Sequence, residues 1–229
     1  MRLSVGSKIK NSISLLRQGK IDKLLDAIAW SVPQWLFYYS HSVLVVTEKP
    51  NWTSHPHPDY RIRNVRPEDI QFLAKDGFTD EKILSRINAG DKGILMEKNN
   101  EVHSIVWGAS GKKFLKLVGA EFDPGDDGFI IYGAYTDEKA RGKGLFYELG
   151  TEMYALYANR GFTKVWGAIN ANNRAWLDKF CSKMNFEKAG ETFYFKLLFM
   201  NICYYKSWPY PTGKFRIFFK NPPQNMSWV

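Results

Sequence analysis

The residues best suited to chemistry lie in one stretch, Tyr135-Thr-Asp-Glu-Lys-Ala-Arg141-Gly142-Lys143-Gly144-Leu145-Phe146. It follows a β-like run, Phe129–Thr136, and precedes a long helical pattern, Gly142–Arg160. Two glycines let the backbone approach a ligand closely, and successive N–H groups then point the same way. The helix N-terminus adds partial positive charge, with Arg141 and Lys143 as full charges beside it. A pyrophosphate fits such a turn. The common nucleotide motifs do not: a dinucleotide fingerprint needs glycine where Tyr147 stands. The P-loop pattern fails at Gly111-Lys112-Lys113, because Val106 is not glycine and Lys113 is neither Ser nor Thr.

The elements that must position this turn read from Tyr60 onward as β-α-α-β-β-(β)-β-α-β-α-β. Tyr60–Val65 predicts a strand, and Pro67-Glu68-Asp69 opens a helix with proline and acids in its first turn. Thr79 or Asp80 caps a second helix that ends at Gly90. Gly93–Lys98 and Glu101–Gly108 form a hairpin around Asn99-Asn100, and Lys113–Phe122 reads as a further strand. Lys164–Asn170 is a strand, Asn172 or Asn173 caps a helix, and Phe186–Leu198 is the next strand. Such mixed alternation predicts an α/β fold with a mixed sheet.

The chain has 229 residues, 45% of them hydrophobic and 24% charged, enough for a buried core and unlike a disordered or disulfide-stapled chain. Its net charge of +9 is unevenly spread: residues 1–47 carry +4, residues 196–229 carry +5 with no acid, and the middle is neutral. An anionic partner is therefore expected at the ends. Two cysteines, Cys181 and Cys203, make neither a disulfide framework nor a four-thiolate metal site. The His55-Pro56-His57 pair reads as linker histidines, so no metal is expected. The opening residues lack a secretory apolar run, which points to a cytoplasmic protein.

The division along the chain is a basic amphipathic helical segment at 1–48, a Pro-rich linker at 49–59, an α/β domain at 60–198 and an aromatic, basic extension at 199–229. Ile9, Ile13 and Leu16, then Ile21, Leu24, Leu25 and Ile28, recur at helical spacing until Pro33. Ala27–Thr47 is 21 residues without a formal charge, but Pro33, Gln34 and His41 interrupt it. An interfacial or domain-packing segment suits it better than a membrane span.

Arg141-Gly142-Lys143-Gly144 resembles the Q/R-x-x-G-x-G/A signature of the GNAT superfamily of acetyl-CoA-dependent N-acetyltransferases. Phe146 departs from it, standing where glycine or alanine is usual. Val165–Asn170 resembles the family's fifth strand, Asn173-Arg-Ala-Trp176 its asparagine-capped helix, and Met184-Asn185-Phe186 its Leu-Gly-Phe ending with Asn185 in the glycine's place. Ile62–Asp69 is similar to the opening strand and helix, so the likeness spans about residues 60–198. It implies a GNAT-like mixed central sheet flanked by helices, here with extra N-terminal helices and a C-terminal extension.

The resemblance also implies a mechanism. Acetyl-CoA would be the co-substrate, held by Tyr135, Thr136, Arg141, Gly142, Lys143, Gly144, Leu145, Phe146 and Asn173. A backbone N–H at Tyr135 or Thr136 would polarise the thioester carbonyl, and an amine of a small molecule or a protein would attack directly. Cys181 occupies the place where a tyrosine often protonates the leaving thiolate; a helix cysteine serves equally as packing. Glu121, Asp137 and Glu138 lie in plausible regions for a base, and none is singled out. The departures at Phe146, Cys181 and Asn185 leave open a non-catalytic acyl-CoA-binding module. The ends, with 12 aromatic residues in 193–229, leave open a membrane-surface scaffold or peripheral contact with anionic membrane. No nucleic acid is expected, for want of a recognised module.

Overall fold

A computed structural model describes residues 18–29, 31–33, 36–51, 57–69, 80–115, 117–207 and 215–218. In chain order these form α1 (Ile21–Ala29), β1 (Phe37–Thr47), β2 (Arg61–Asn64), a 3₁₀ turn (Pro67–Asp69), α2 (Asp80–Asn88), β3 (Lys92–Lys98), β4 (Glu101–Ala109), β5 (Lys113–Leu115) and β6 (Ala120–Phe122). Then come β7 (Gly128–Thr136), a 3₁₀ turn (Glu138–Ala140), α3 (Leu145–Ala158), β8 (Lys164–Asn170), α4 (Arg174–Lys183), β9 (Glu187–Leu197), β10 (Met200–Ser207) and β11 (Phe215–Phe218). Nine strands make one sheet in the order β11-β10-β9-β1-β8-β7-β4-β3-β2. Only the β7–β8 pair is parallel. The expected α/β fold with a mixed central sheet and flanking helices is what forms.

Two apolar layers sandwich the sheet. On one face Val43, Val45, Phe129 and Val165 pack beneath α3 and α4, contacting Leu149, Met153 and Phe180. On the other, Leu44, Leu95, Trp107, Ile130 and Tyr194 pack with Ile83 of α2 and Phe122 of the β5–β6 hairpin. Strands buried on both faces lose the alternation of a half-exposed strand.

Several expectations are corrected. The segment 1–48 is not helical throughout: Phe37–Thr47 is β1, antiparallel to both β8 and β9 in the middle of the sheet. The uncharged run Ala27–Thr47 is thus the end of α1 followed by an inner strand, apolar because both its faces are covered. The region 199–229 likewise gives β10 and β11 to this sheet. Lys113–Phe122 is a hairpin of two short strands, since the chain turns at Gly119, whose φ is +70° and whose N–H bonds the Leu115 carbonyl at 2.8 Å. The long helix starts at Leu145 rather than Gly142. The anticipated Asn99-Asn100 hairpin is present, with φ of 54° and 63°. Expected elements within residues 1–17 and 70–79 lie outside the described residues. Among the described residues, no helix is long and apolar enough to cross a membrane.

Candidate active site

The site arises where β7 and β8 part. They pair from Gly128↔Lys164 to Ile131↔Gly167 and no further. Beyond that point each follows its antiparallel partner instead: β8 stays with β1 as far as Ser42↔Asn170, and β7 stays with β4 as far as Ser104↔Thr136. The β4–β7 register slips between Ile105↔Tyr135 and Trp107↔Tyr132, leaving an extra residue on β7. Gly133 supplies the bulge with φ of +56°, a conformation open to glycine. A cleft of about 660 Å³ opens between the diverging strands.

Both sheet faces contribute to this cleft. Ile131, Ile169 and Phe180 line it from the α3–α4 side, while Tyr132, Tyr135 and Trp166 line it from the other. The passage therefore crosses the sheet, so two reactants can meet in it from opposite sides.

The glycine turn forms one wall. Ala140 and Leu145, each 1% exposed, anchor it in the core. Asp137 accepts the Lys139 N–H at 2.8 Å and caps the short 3₁₀ turn. Arg141 donates to the Thr136 carbonyl at 3.2 Å and to Glu138 at 3.3 Å, leaving its guanidinium at the rim. Gly142 and Gly144 have φ of +81° and +83°, and a Cβ built at Gly142 would meet nothing within 4 Å. The glycines thus serve backbone conformation, and the space above the turn is open. At the start of α3 the Tyr147 N–H bonds the Gly144 carbonyl at 2.9 Å, and the N–H groups of Leu145 and Phe146, which precede it, have no side-chain cap from Gly144.

Of the residues singled out in the sequence, Tyr135, Thr136, Arg141, Gly142, Gly144, Leu145, Phe146 and Asn173 line the cleft, and Lys143 and Cys181 do not. The Lys143 ammonium turns to the Tyr60 hydroxyl at 3.4 Å. Cys181 packs against the core beneath α4, where burial pushes its thiol up. Phe146 is absorbed by packing, edge-on to Trp176 at 4.9 Å. Asn173 stands at the N-cap of α4 without a side-chain capping bond. Glu121 is exposed, and neither it, Asp137 nor Glu138 lines the cleft.

The structure adds residues that the sequence reading did not single out. Lys179 lines the cleft with its ammonium 5.6 Å from the Trp176 ring, a second cation in the lining after Arg141. Behind the Gly133 bulge lies Arg86, 1% exposed, stacked 5.2 Å from the Trp107 ring and 5.0 Å from the Tyr132 ring. Its neighbour Asp91 accepts from both the Lys113 ammonium and the Tyr132 hydroxyl. Burial pulls Arg86 and Lys113 down and pushes Tyr132 well above the usual phenol value. A lone glycine inside the β-like run at 133 was the available signal for this bulge. Among the described residues, no group of three or more His, Cys, Asp or Glu could hold a metal ion.

No protein-family model matches the chain, and no curated protein does. Solved structures do match its fold. A protein from Novosphingobium aromaticivorans assigned to the GNAT family of acetyltransferases superposes with a TM-score of 0.50 at 13% identity, covering 68% of this chain and 62% of that one. A Drosophila protein superposes with a TM-score of 0.50 at 14% identity, covering 78% of this chain and 56% of that one. This chain thus spans about six tenths of the length of these structures. Its fold is GNAT-like.

Proposed function

We propose that this protein transfers an acyl group from an acyl-CoA, acetyl-CoA in the simplest case, to an amine of a small molecule or a protein. The observation that carries this reading is the parallel β7–β8 pair that stops at Ile131↔Gly167 and opens into a cleft beside a positive-φ glycine turn at a helix N-terminus. The residues present fit the donor. The open space above Gly142, the first-turn N–H groups of α3 and the cations Arg141 and Lys179 suit a pyrophosphate, and the apolar cleft suits the narrow arm that follows it.

Acyl-CoA, when bound, supplies a thioester carbonyl for attack. The neutral amine forms the new C–N bond, the C–S bond breaks, and the amine proton leaves while the departing thiolate gains one. The backbone N–H groups of β7 after the bulge supply fixed donors for charge developing on the carbonyl oxygen. Tyr135 and Tyr147 line the cleft and are its candidate proton donors for the thiolate, in place of Cys181. Tyr132 is engaged with Asp91 and is not offered for this role. Among the described residues that line the cleft none is Asp, Glu or His, so the amine proton is taken by water.

The departures at Phe146, Cys181 and Asn185, with no carboxylate among the described lining residues, favour a second reading, an acyl-CoA-binding module without turnover. Calorimetric titration with acetyl-CoA separates the possibilities when paired with a Gly144→Glu variant. Glutamate brings a negative charge to the anion site and strains a backbone at φ of +83°. The expected result is saturable binding by the wild type, weakened more than about tenfold in the variant. No binding by the wild type overturns both readings. Binding followed by thiol release with a panel of amines supports transfer, and binding with no release supports the module.

A further inference from the structure

We infer that the acceptor taken by this cleft is a monoamine with an aromatic body, entering from the sheet face that carries α2 and the β5–β6 hairpin. The inference rests on the proposed transfer and names its acceptor. Backbone register builds this half of the cleft. Tyr132 and Tyr135 are three residues apart, so in a regular strand they would point to opposite faces. The extra residue at the Gly133 bulge changes that parity. Tyr132 pairs with Trp107 and Tyr135 with Ile105, two residues apart on β4 and both buried in the core of this face. Both tyrosines therefore turn to the same side. From the other strand, β8 presents Trp166 and Ala168, likewise two apart and on that side.

The two walls are thus aromatic rings with one small residue among them. Tyr132 and Trp166 are buried and held from behind: the Tyr132 hydroxyl donates to Asp91, and the Trp166 ring stands edge-on to Phe122 at 5.2 Å. Fixed in this way, both present ring surface to the cleft and are not free to fold over it. Tyr135 and Ala168 are half-buried in the lining. An aromatic body fits here by offset or edge-on ring contact, and Ala168 leaves it room that a larger side chain would fill.

Charge limits the acceptor to one amine. Arg86 lies 5.0 Å and Lys113 5.2 Å from the Tyr132 ring, and Asp91 is the carboxylate bonded to that cluster. Two cations against one anion leave this side of the cleft positive. The lining cations Arg141 and Lys179 belong to the α3–α4 side, and no carboxylate is among the described lining residues. A second ammonium on the acceptor would be desolvated beside positive charge with no anion to pair it. The same charge favours the neutral, nucleophilic form of the one amine that reacts. Polyamines, aminoglycosides and lysine-rich peptides are thereby disfavoured, and an arylalkyl monoamine is favoured.

Thiol release from acetyl-CoA by the full chain, with 2-phenylethylamine, spermidine, kanamycin or a lysine-containing peptide as acceptor, tests the inference. The expected kcat/KM for 2-phenylethylamine exceeds that for each of the others by about tenfold or more. Equal or faster release with any of the others overturns the inference and leaves the transfer standing. Ala168→Leu is expected to raise KM for 2-phenylethylamine about fivefold or more, with melting temperature and acetyl-CoA affinity as in the wild type. Ala168→Glu supplies a carboxylate and is expected to shift the ratio about tenfold toward spermidine; an unchanged ratio overturns the inference. So does selection among acyl-CoA chain lengths with none among amines, which would assign the ring-lined face to the donor. If acetyl-CoA binds and no amine releases thiol, it is the transfer that fails. Calorimetric titration of 2-phenylethylamine into the CoA-saturated protein then decides the site: saturable binding weakened by Ala168→Leu supports it, and no binding overturns it.

Discussion

Replacing Gly133 by alanine tests the construction of the cleft at its most constrained point. The glycine sits at φ of +56°, so alanine there costs about 1–2 kcal/mol in backbone strain. Its Cβ would also lie 2.7 Å from Nη1 of Arg86. A guanidinium at the surface would swing away at little cost. This one is 1% exposed and held between the rings of Trp107 and Tyr132, so displacing it adds about 1–2 kcal/mol. The expected total is about 3 kcal/mol, measured by urea unfolding followed through tryptophan fluorescence. A double-mutant cycle separates the contributions: with Arg86→Ala present, Gly133→Ala should cost only the strain, about 1–2 kcal/mol. Equal costs in the two backgrounds would refute the proposed contact. A total below about 0.5 kcal/mol would refute the bulge itself.

Asp69, 3% exposed, accepts from Arg63 at 2.6 and 2.7 Å and from the Arg66 N–H at 2.7 Å. Burial alone would raise its carboxyl, but these donors outweigh it and hold the pKa below the usual value of 3.8. A depressed carboxyl contributes stability above its unfolded pKa and loses it as pH falls through the folded one. Asp69→Asn should therefore cost about 2 kcal/mol at neutral pH, and the gap from wild type should close below about pH 4 in acid titration. Cys181→Ala should leave acetyl-CoA affinity, and any turnover found, within about twofold of wild type, because the thiol does not line the cleft. A larger loss of turnover with unchanged affinity would restore Cys181 as the acid.

The glycine turn and the elements around it were legible because their signals are local. Asn99-Asn100 announces a hairpin through its own preference for positive φ, and Gly142 and Gly144 do the same for the turn before α3. What depends on partners distant in sequence was not legible. Phe37–Thr47 is rich in aromatic and β-branched residues, a strand signal, but its uncharged run also fits an interfacial segment. Its place between β8 and β9 decides the matter, and no local pattern records that place. Arg86 falls on a short helix where an arginine is ordinarily solvated. Its burial follows from Gly133, nearly fifty residues further on, leaving room for it. Cys181 was drawn toward the site by its position in a resemblance, whereas the rotation of α4 turns Phe180 into the cleft instead.

The central strand also joins the two halves of the molecule. The carbonyl of His41 accepts the Ala171 N–H at 2.8 Å, just past the end of β8, and the amide of Asn172 reaches Asp26 of α1 at 3.4 Å. The next residue, Asn173, lines the cleft. On its other edge His41 stacks on Phe193, and its imidazole bridges Asp22 and Glu191, the latter paired with Lys206. Strand β9 is therefore one strand away from the cleft wall, joined to it across β1 by backbone pairing on both edges and by the His41 side-chain bonds.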